Sequence, residues 1–229
     1  MDPSPSFQAV LFDMDGVVID NAALHREVWA DFARSHGLAP TEAEIRATDG
    51  RRAVDAVKLL FKEDLEDAQV LARAAEREMR YRQSLERAHV KAVPGVAPFL
   101  EALGEARIPR VLATSATLDN VDLVLARLDL AKKFDAVVSA EDVRNGKPNP
   151  EVYLTAARRA HADPARCLVI EDALPGVQAA KAAGAFCLGL STSQSEEALF
   201  GAGADWVAPN FLALPGPLRE RLSFLGSEG

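Results

Sequence analysis

Cysteine is nearly missing from this chain of 229 residues; only Cys167 and Cys187 occur. Two cysteines build neither a disulfide framework nor a zinc site by themselves. Each lies in a short apolar run, as expected of a buried thiol in a reducing compartment. No apolar run approaches the ~20 residues that a membrane-spanning helix needs. The opening residues, MDPSPSFQ, have neither a basic stretch nor an apolar one, so no secretory signal is read there. The expected setting is the cytoplasm. Positive charge is in deficit: Lys and Arg number 26 against 34 Asp and Glu, a formal net charge of −8. Such a chain is poorly suited to nucleic acid or to anionic membranes. An anionic substrate would have to be met by local positive charge, such as a metal ion. Internal repeats and low-complexity tracts are absent as well. What remains is the make-up of a globular protein, 48% hydrophobic and 26% charged. The length fits one large domain or one domain with an insertion.

Short strand-like runs punctuate the chain: AVLF at Ala9–Phe12, RVLA at Arg110–Ala113, AVVS at 136–139, CLVI at 167–170, FCL at 186–188 and DWV at 205–207. Most are continuously apolar rather than alternating, the pattern of strands covered on both faces. Helical patterns lie between the later runs. Thr117 is placed to cap a helix reaching Leu128. Asn149-Pro150 reads as N-cap and first helical residue for 151–160, and Asp163-Pro164 opens a further turn. A helix over 174–183 stops at Gly184. From Pro94 onward, helix and strand alternate. The fold class expected is therefore α/β, a Rossmann-like doubly wound parallel sheet. Residues 21–89 differ, with helical periodicity and no convincing strand. Leu24, Val28 and Phe32 share a face of a first helix, and Leu71, Ala75 and Met79 a face of a long later one. This all-helical block reads as an insertion. The expected division is a core of 1–20 and 91–229 with an inserted domain of 21–90. The C-terminal residues 225–229 read as frayed.

Chemistry gathers where strands end. Asp13 and Asp15, in Asp13-Met14-Asp15-Gly16, are two positions apart and face one way if the chain stays extended. Their strand end is where open α/β sheets bind ligands. Gly16 permits a tight turn. Like charges so close require a shared proton, a cation or a base. Thr114-Ser115 follows RVLA and offers hydroxyls and backbone N–H groups at a helix start, a seat for phosphate or simply an N-cap. Lys147 stands between Gly146 and Pro148-Asn149-Pro150 in a loop stiffened by two prolines. Glu171-Asp172 follows CLVI, with Pro175-Gly176 beyond. Acidic residues there make a hard, oxygen-rich cation site beside Asp13, and Asp172 is equally suited to cap a helix.

In this order the motifs resemble the haloacid dehalogenase-like hydrolase superfamily: FDMDG at 12–16, Thr114 in LATSA, Lys147 in GKPNP and Glu171-Asp172 in IEDALPG. The resemblance covers nearly the whole chain, and the helical insertion looks like the family's cap. It is closest to the β-phosphoglucomutase-like and sugar-phosphate phosphatase branch, through DNAALHREVW at 20–29 and Gly50-Arg51-Arg52. The resemblance implies that Asp13 is the nucleophile and Asp15 the general acid and base. It implies Mg²⁺ held by Asp13, the Asp15 carbonyl and Asp172, with Glu171 acting through water. Thr114 and Lys147 would hold the transferring phosphoryl oxygens, and Lys147 would keep Asp13 ionised. Gly16, Ser115, His25, Arg51, Arg52 and Arg77 are the expected substrate contacts. His25 and Trp29 sit one turn apart at the edge of the first helix's apolar face. Arg77 and Tyr81 share the face opposite Ala75 and Met79, which reads as solvated, although Arg77 falls where mutases carry a cap lysine.

The expected activity is Mg²⁺-dependent hydrolysis of a small phosphorylated metabolite, a sugar phosphate, through an aspartyl-phosphate. A β-phosphoglucomutase, which returns the phosphoryl group to a sugar hydroxyl, shares the same core motifs. Ala47, where mutases carry lysine, speaks against it. A receiver domain of signalling systems also phosphorylates an aspartate. Its acidic pair precedes the acceptor, however, and it has no inserted helical block.

Overall fold

The computed structural model describes residues 7–62 and 65–222. Residues 1–6 of the opening stretch and the tail read as frayed lie outside the described residues. Six strands form one parallel sheet: β1 (Ala9–Phe12), β4 (Arg110–Ala113), β5 (Ala136–Val138), β6 (Cys167–Glu171), β7 (Phe186–Leu190) and β8 (Trp206–Ala208). Their order is β5-β4-β1-β6-β7-β8. A further pair, β2 (Ile19–Asp20) and β3 (Lys91–Ala92), is antiparallel, joining Ile19 to Ala92 and Asp20 to Lys91. The helices are α1 (Ala22–Ser35), α2 (Glu42–Arg46), α3 (Ala53–Phe61), α4 (Asp67–Arg87), α5 (Val96–Glu105), α6 (Leu118–Leu128), α7 (Glu151–Arg159), α8 (Leu174–Ala182), α9 (Glu196–Gly201) and α10 (Gly216–Arg221). No helix among the described residues is long and apolar enough to cross a membrane.

The continuous apolar strands follow from covering both faces. In β1, Val10 and Phe12 enter a core with Leu100 and Leu103 of α5 and Val121 and Val124 of α6. Ala9 and Leu11 point the other way, into a core with Val152, Tyr153 and Ala156 of α7 and Val177 of α8. Successive side chains alternate, so a strand between two helical layers must be apolar at every position. Both cysteines are buried in this second core as free thiols.

The helices α1 to α4 fall between β2 and β3 and have their own core around Trp29, Phe32, Val57, Leu60 and Val70. Several local expectations shift. The run at 186–188 extends to Leu190, and the last strand starts one residue later, at Trp206. Thr117 is the N-cap of α6, but its side chain makes no capping bond, and its hydroxyl is buried without a partner. The N-cap of α7 is Pro150 rather than Asn149, whose side chain accepts from Glu151 N at 3.0 Å.

The largest departure is in α4. Leu71 and Met79 are 60% and 47% exposed, so their row faces solvent. Arg77 and Tyr81, read as solvated, are 3% and 0% exposed. The buried row is Val70, Ala74, Arg77, Glu78, Tyr81 and Leu85. Its polar middle is buried because it faces the site described next.

Candidate active site

Asp13 follows directly on β1, its backbone N–H still bonded to the Ile170 carbonyl at 3.0 Å. The chain then turns tightly, with Met14 O accepting from the amides of Val17, Val18 and Ile19. Gly16 enters this turn at φ +72°, and a Cβ there would lie 1.9 Å from Asp172 Oδ2. Only glycine satisfies both conditions. The turn therefore presses the first motif against the end of β6.

Lys147 reaches the same place from the loop after β5, through a cis peptide to Pro148. Its Nζ donates to Asp13 Oδ1 at 2.7 Å and to Glu171 Oε1 at 2.6 Å. Glu171 is fully engaged. Oε1 also accepts from the Tyr153 hydroxyl at 2.6 Å, and Oε2 accepts from the amides of Asp172 and Ala173. With its lone pairs taken, Glu171 orients Lys147 and contributes negative charge. Tyr153 escaped the sequence reading, since a tyrosine in an amphipathic helix looks like core.

Carboxylate oxygens of Asp13, Glu171 and Asp172 all lie within 4.8 Å of one another, and all three residues are buried. One ammonium faces them. Asp172 has no ion-pair partner among the described residues; the hydroxyls of Thr192, at 3.5 Å, and Ser193 are beside it. Burial, Glu171 and Asp13 push the Asp172 carboxyl well above its usual range. Burial also lifts Asp13 to about 7, with Lys147 pulling against it and Glu171 and Asp15 adding to it. Lys147 does favour the ionised form of Asp13, as expected, but a lysine shared with Glu171 does not by itself offset burial. Uncompensated, oxygen-rich negative charge of this kind fits a hard divalent cation. Lys147 itself is pushed up because Asp13 and Glu171 outweigh the opposing effect of burial.

Asp15 is held by a different set of groups, from α1, α4 and the segment before α1. Asn21 Nδ2 donates to Asp15 Oδ1 at 2.5 Å and also reaches the Tyr81 hydroxyl at 2.6 Å. His25 Nε2 lies 3.3 Å from Asp15 Oδ2. Arg77 Nη2 contacts His25 Nδ1 at 2.6 Å. Burial pushes Asp15 upward, but His25, Asn21 and Arg77 outweigh it and hold the carboxyl at about 2. The two aspartates of one motif are thereby pushed in opposite directions, Asp13 upward and Asp15 downward. Asn21 was not singled out as a site residue from sequence, and Tyr81 was read there only as part of a solvated face.

One pocket joins these groups. Asp13, Asp15, Gly16, Thr114, Ser115 and Asp172 line its floor, and His25, Trp29, Arg51, Arg77 and Glu78 line its roof. Thr114 Oγ1 accepts from Ala116 N, and Ser115 Oγ donates to Gly50 O at 2.8 Å, tying the helical block to the sheet. Arg51 lies on the pocket wall with its Nε on the Ala47 carbonyl. Arg52 is not brought to the pocket wall. It pairs with Asp55 and donates to the carbonyls of Val143 and Arg144.

A family model described as haloacid dehalogenase-like hydrolase matches residues 7–184. A phosphorylated carbohydrates phosphatase of Thermotoga maritima is 37% identical over 177 residues, covering 77% of this chain and 82% of the relative. A beta-phosphoglucomutase of Bacillus subtilis is 29% identical over 202 residues, covering 82% and 84%. Among solved structures, a family IA, variant 3 hydrolase from Entamoeba histolytica superposes with a TM-score of 0.83 at 27% identity, covering 95% of this chain and 98% of that one. The chain belongs to the haloacid dehalogenase-like hydrolase family.

Proposed function

We propose that the protein is a Mg²⁺-dependent phosphatase of small phosphorylated carbohydrates, working through an aspartyl-phosphate at Asp13. The observation that carries this reading is the pairing of Asp13 with Lys147 at 2.7 Å beside the uncompensated Asp172, with Asp15 held apart by His25 and Asn21. Asp13, Asp172 and the Asp15 carbonyl would hold the cation. When bound, it offsets the charge of ester and carboxylates and favours the ionised form of Asp13.

In the first step an Asp13 oxygen forms a bond to phosphorus and the ester P–O bond breaks. Lys147 Nζ has one N–H left after its bonds to Asp13 and Glu171, and it turns to a phosphoryl oxygen. The Thr114 hydroxyl takes another. A dianionic ester raises the pKa of neighbouring Asp15, which then carries a proton for the departing alkoxide. In the second step Asp15 takes a proton from water, the water oxygen bonds to phosphorus and the Asp13–phosphorus bond breaks. Ser115, Trp29 and the α2–α3 turn keep bulk water out while the pocket is covered.

The test is release of inorganic phosphate from a panel of hexose and hexitol monophosphates, with Mg²⁺ or with EDTA, by the parent and by Asp13→Asn. Turnover requires Mg²⁺, and Asp13→Asn loses roughly a thousandfold or more, as when other covalent nucleophiles are removed. An active Asp13→Asn protein overturns the reading. The Bacillus relative makes transfer to a sugar hydroxyl the second reading. β-Glucose 1-phosphate with glucose 1,6-bisphosphate, yielding glucose 6-phosphate faster than free phosphate, would establish it instead.

A further inference from the structure

The wall of the pocket holds a buried polar pair that the chemistry above does not use. Glu78 of α4 and Asn120 of α6 both line the pocket and are 8% and 1% exposed. Glu78 Oε1 accepts from Arg77 Nη1 at 2.8 Å, and Oε2 accepts a short hydrogen bond from Asn120 Nδ2. Arg82 Nη1 donates to Asn120 Oδ1 at 3.2 Å. An arginine on one side and a carboxylate on the other fix which end of the amide is oxygen and which is nitrogen.

The hydrogen-bond inventory then decides what this wall can receive. A carboxylate offers about four acceptor positions, and Glu78 uses two. An amide nitrogen carries two N–H groups, and Asn120 uses one on Glu78. The wall therefore presents unused acceptors beside an unused donor. That is the complement of a hydroxyl group, which gives one hydrogen bond and takes another. It is hostile to an anion, because the Arg77 charge is already matched by Glu78. Burying Glu78 without filling its remaining acceptors would be costly, so an apolar group is also disfavoured.

We propose that Glu78 and Asn120 form the hydroxyl-reading subsite of this pocket, which discriminates carbohydrate phosphates from phosphate esters without hydroxyls. The inference rests on the phosphatase reading and assigns the residues that read its substrate. The pair spans two helices on either side of the pocket, so its geometry exists only while the helical block lies over the sheet. A substrate hydroxyl inserted there is bound by both sides at once.

The experiment compares kcat/KM for a panel of hexose and hexitol monophosphates, sorbitol 6-phosphate among them, with that for hexyl phosphate. Hexyl phosphate has the same chain length and the same kind of leaving group but no hydroxyls. The parent prefers the best polyol ester by a hundredfold or more. Glu78→Gln and Asn120→Ala each lower that ratio at least tenfold, mainly through KM for the polyol ester, with thermal melting confirming the fold. A parent without preference, or variants in which both esters lose equally, overturns the subsite. A parent that hydrolyses neither ester overturns the phosphatase reading and the subsite with it. A Glu78→Gln protein that unfolds leaves Asn120→Ala as the deciding variant.

Discussion

At the scale of single residues, the site is governed by charge that has been buried before it is neutralised. Asp13 illustrates the consequence. Its carboxyl stands at about 7 against an ordinary 3.8. The folded protein therefore holds a proton that the unfolded chain has released between those limits. This group lowers stability as pH rises from about 4 to 7, the reverse of a salt-bridged aspartate. A bound cation removes the effect by favouring the ionised form. Magnesium binding at pH 6 should release protons, seen by calorimetry as a binding heat that changes with the buffer's ionisation enthalpy. A heat independent of buffer would contradict the assignment. Gly176 gives a second test. Alanine in a helix is ordinarily better than glycine by ~1 kcal/mol. Here a Cβ would fall 1.7 Å from Glu171 Oε1. Gly176→Ala should therefore destabilise the protein in urea titration and displace Lys147 through Glu171, lowering turnover as well. A stabilised variant would show that Glu171 moves without cost.

At the scale of elements, α4 shows how much the sequence reveals and where it misleads. The parallel sheet was legible, because strands with both faces covered are apolar at every position and the motif residues stand at strand ends. The same alternation placed Asp13, Thr114, Lys147 and Asp172 near one edge. The face of α4 was not legible. Leu71, Ala75 and Met79 have helical spacing and suggest an apolar stripe, whereas the buried row contains Arg77, Glu78 and Tyr81. Charge is read as exposure when only propensity is available. A charged pair is buried here because each member meets a partner, Arg77 with Glu78 and His25, and Glu78 with Asn120. Local rules fail where a helix faces a site. Asn21, Tyr153 and Asn120 were missed for a related reason, since a single buried hydroxyl or amide leaves no periodic signal. The two faces of α4 make opposite predictions. Met79→Glu should change stability by less than ~0.5 kcal/mol. Arg77→Met leaves Glu78 buried without its cation and should cost about 3–5 kcal/mol. Urea titrations of the two variants giving similar values would mean that α4 is rotated relative to this structure.

At the scale of the whole molecule, the pocket exists because two bodies of structure meet, and the contacts that join them lie both on its wall and beyond it. Arg26 donates to the Ser193 carbonyl at 2.8 Å while pairing with Asp49, which also accepts from Gln194. Gly50 packs so close to Ala173 that a Cβ would approach to 2.8 Å. Arg52 bridges from the start of α3 to the Val143 and Arg144 carbonyls. Against these stands a thin connection, the β2–β3 pair of two residues each. On the phosphatase reading proposed above, the helical block is expected to release these contacts and remake them in each turnover. Arg52 is the most informative contact to remove, because it bridges the two bodies without lining the pocket. Arg52→Ala should shift the balance toward the open form, raising KM several-fold for every phosphate ester alike. Amide hydrogen exchange should speed up in residues 49–53 and 143–145 together, since both sides of the bridge lose protection when it opens. With magnesium added, the core should keep its protection in β1 and β6. Faster exchange on one side alone, or a KM change confined to one substrate, would mean that Arg52 acts locally and that closure is carried by the contacts around Asp49 and Gly50.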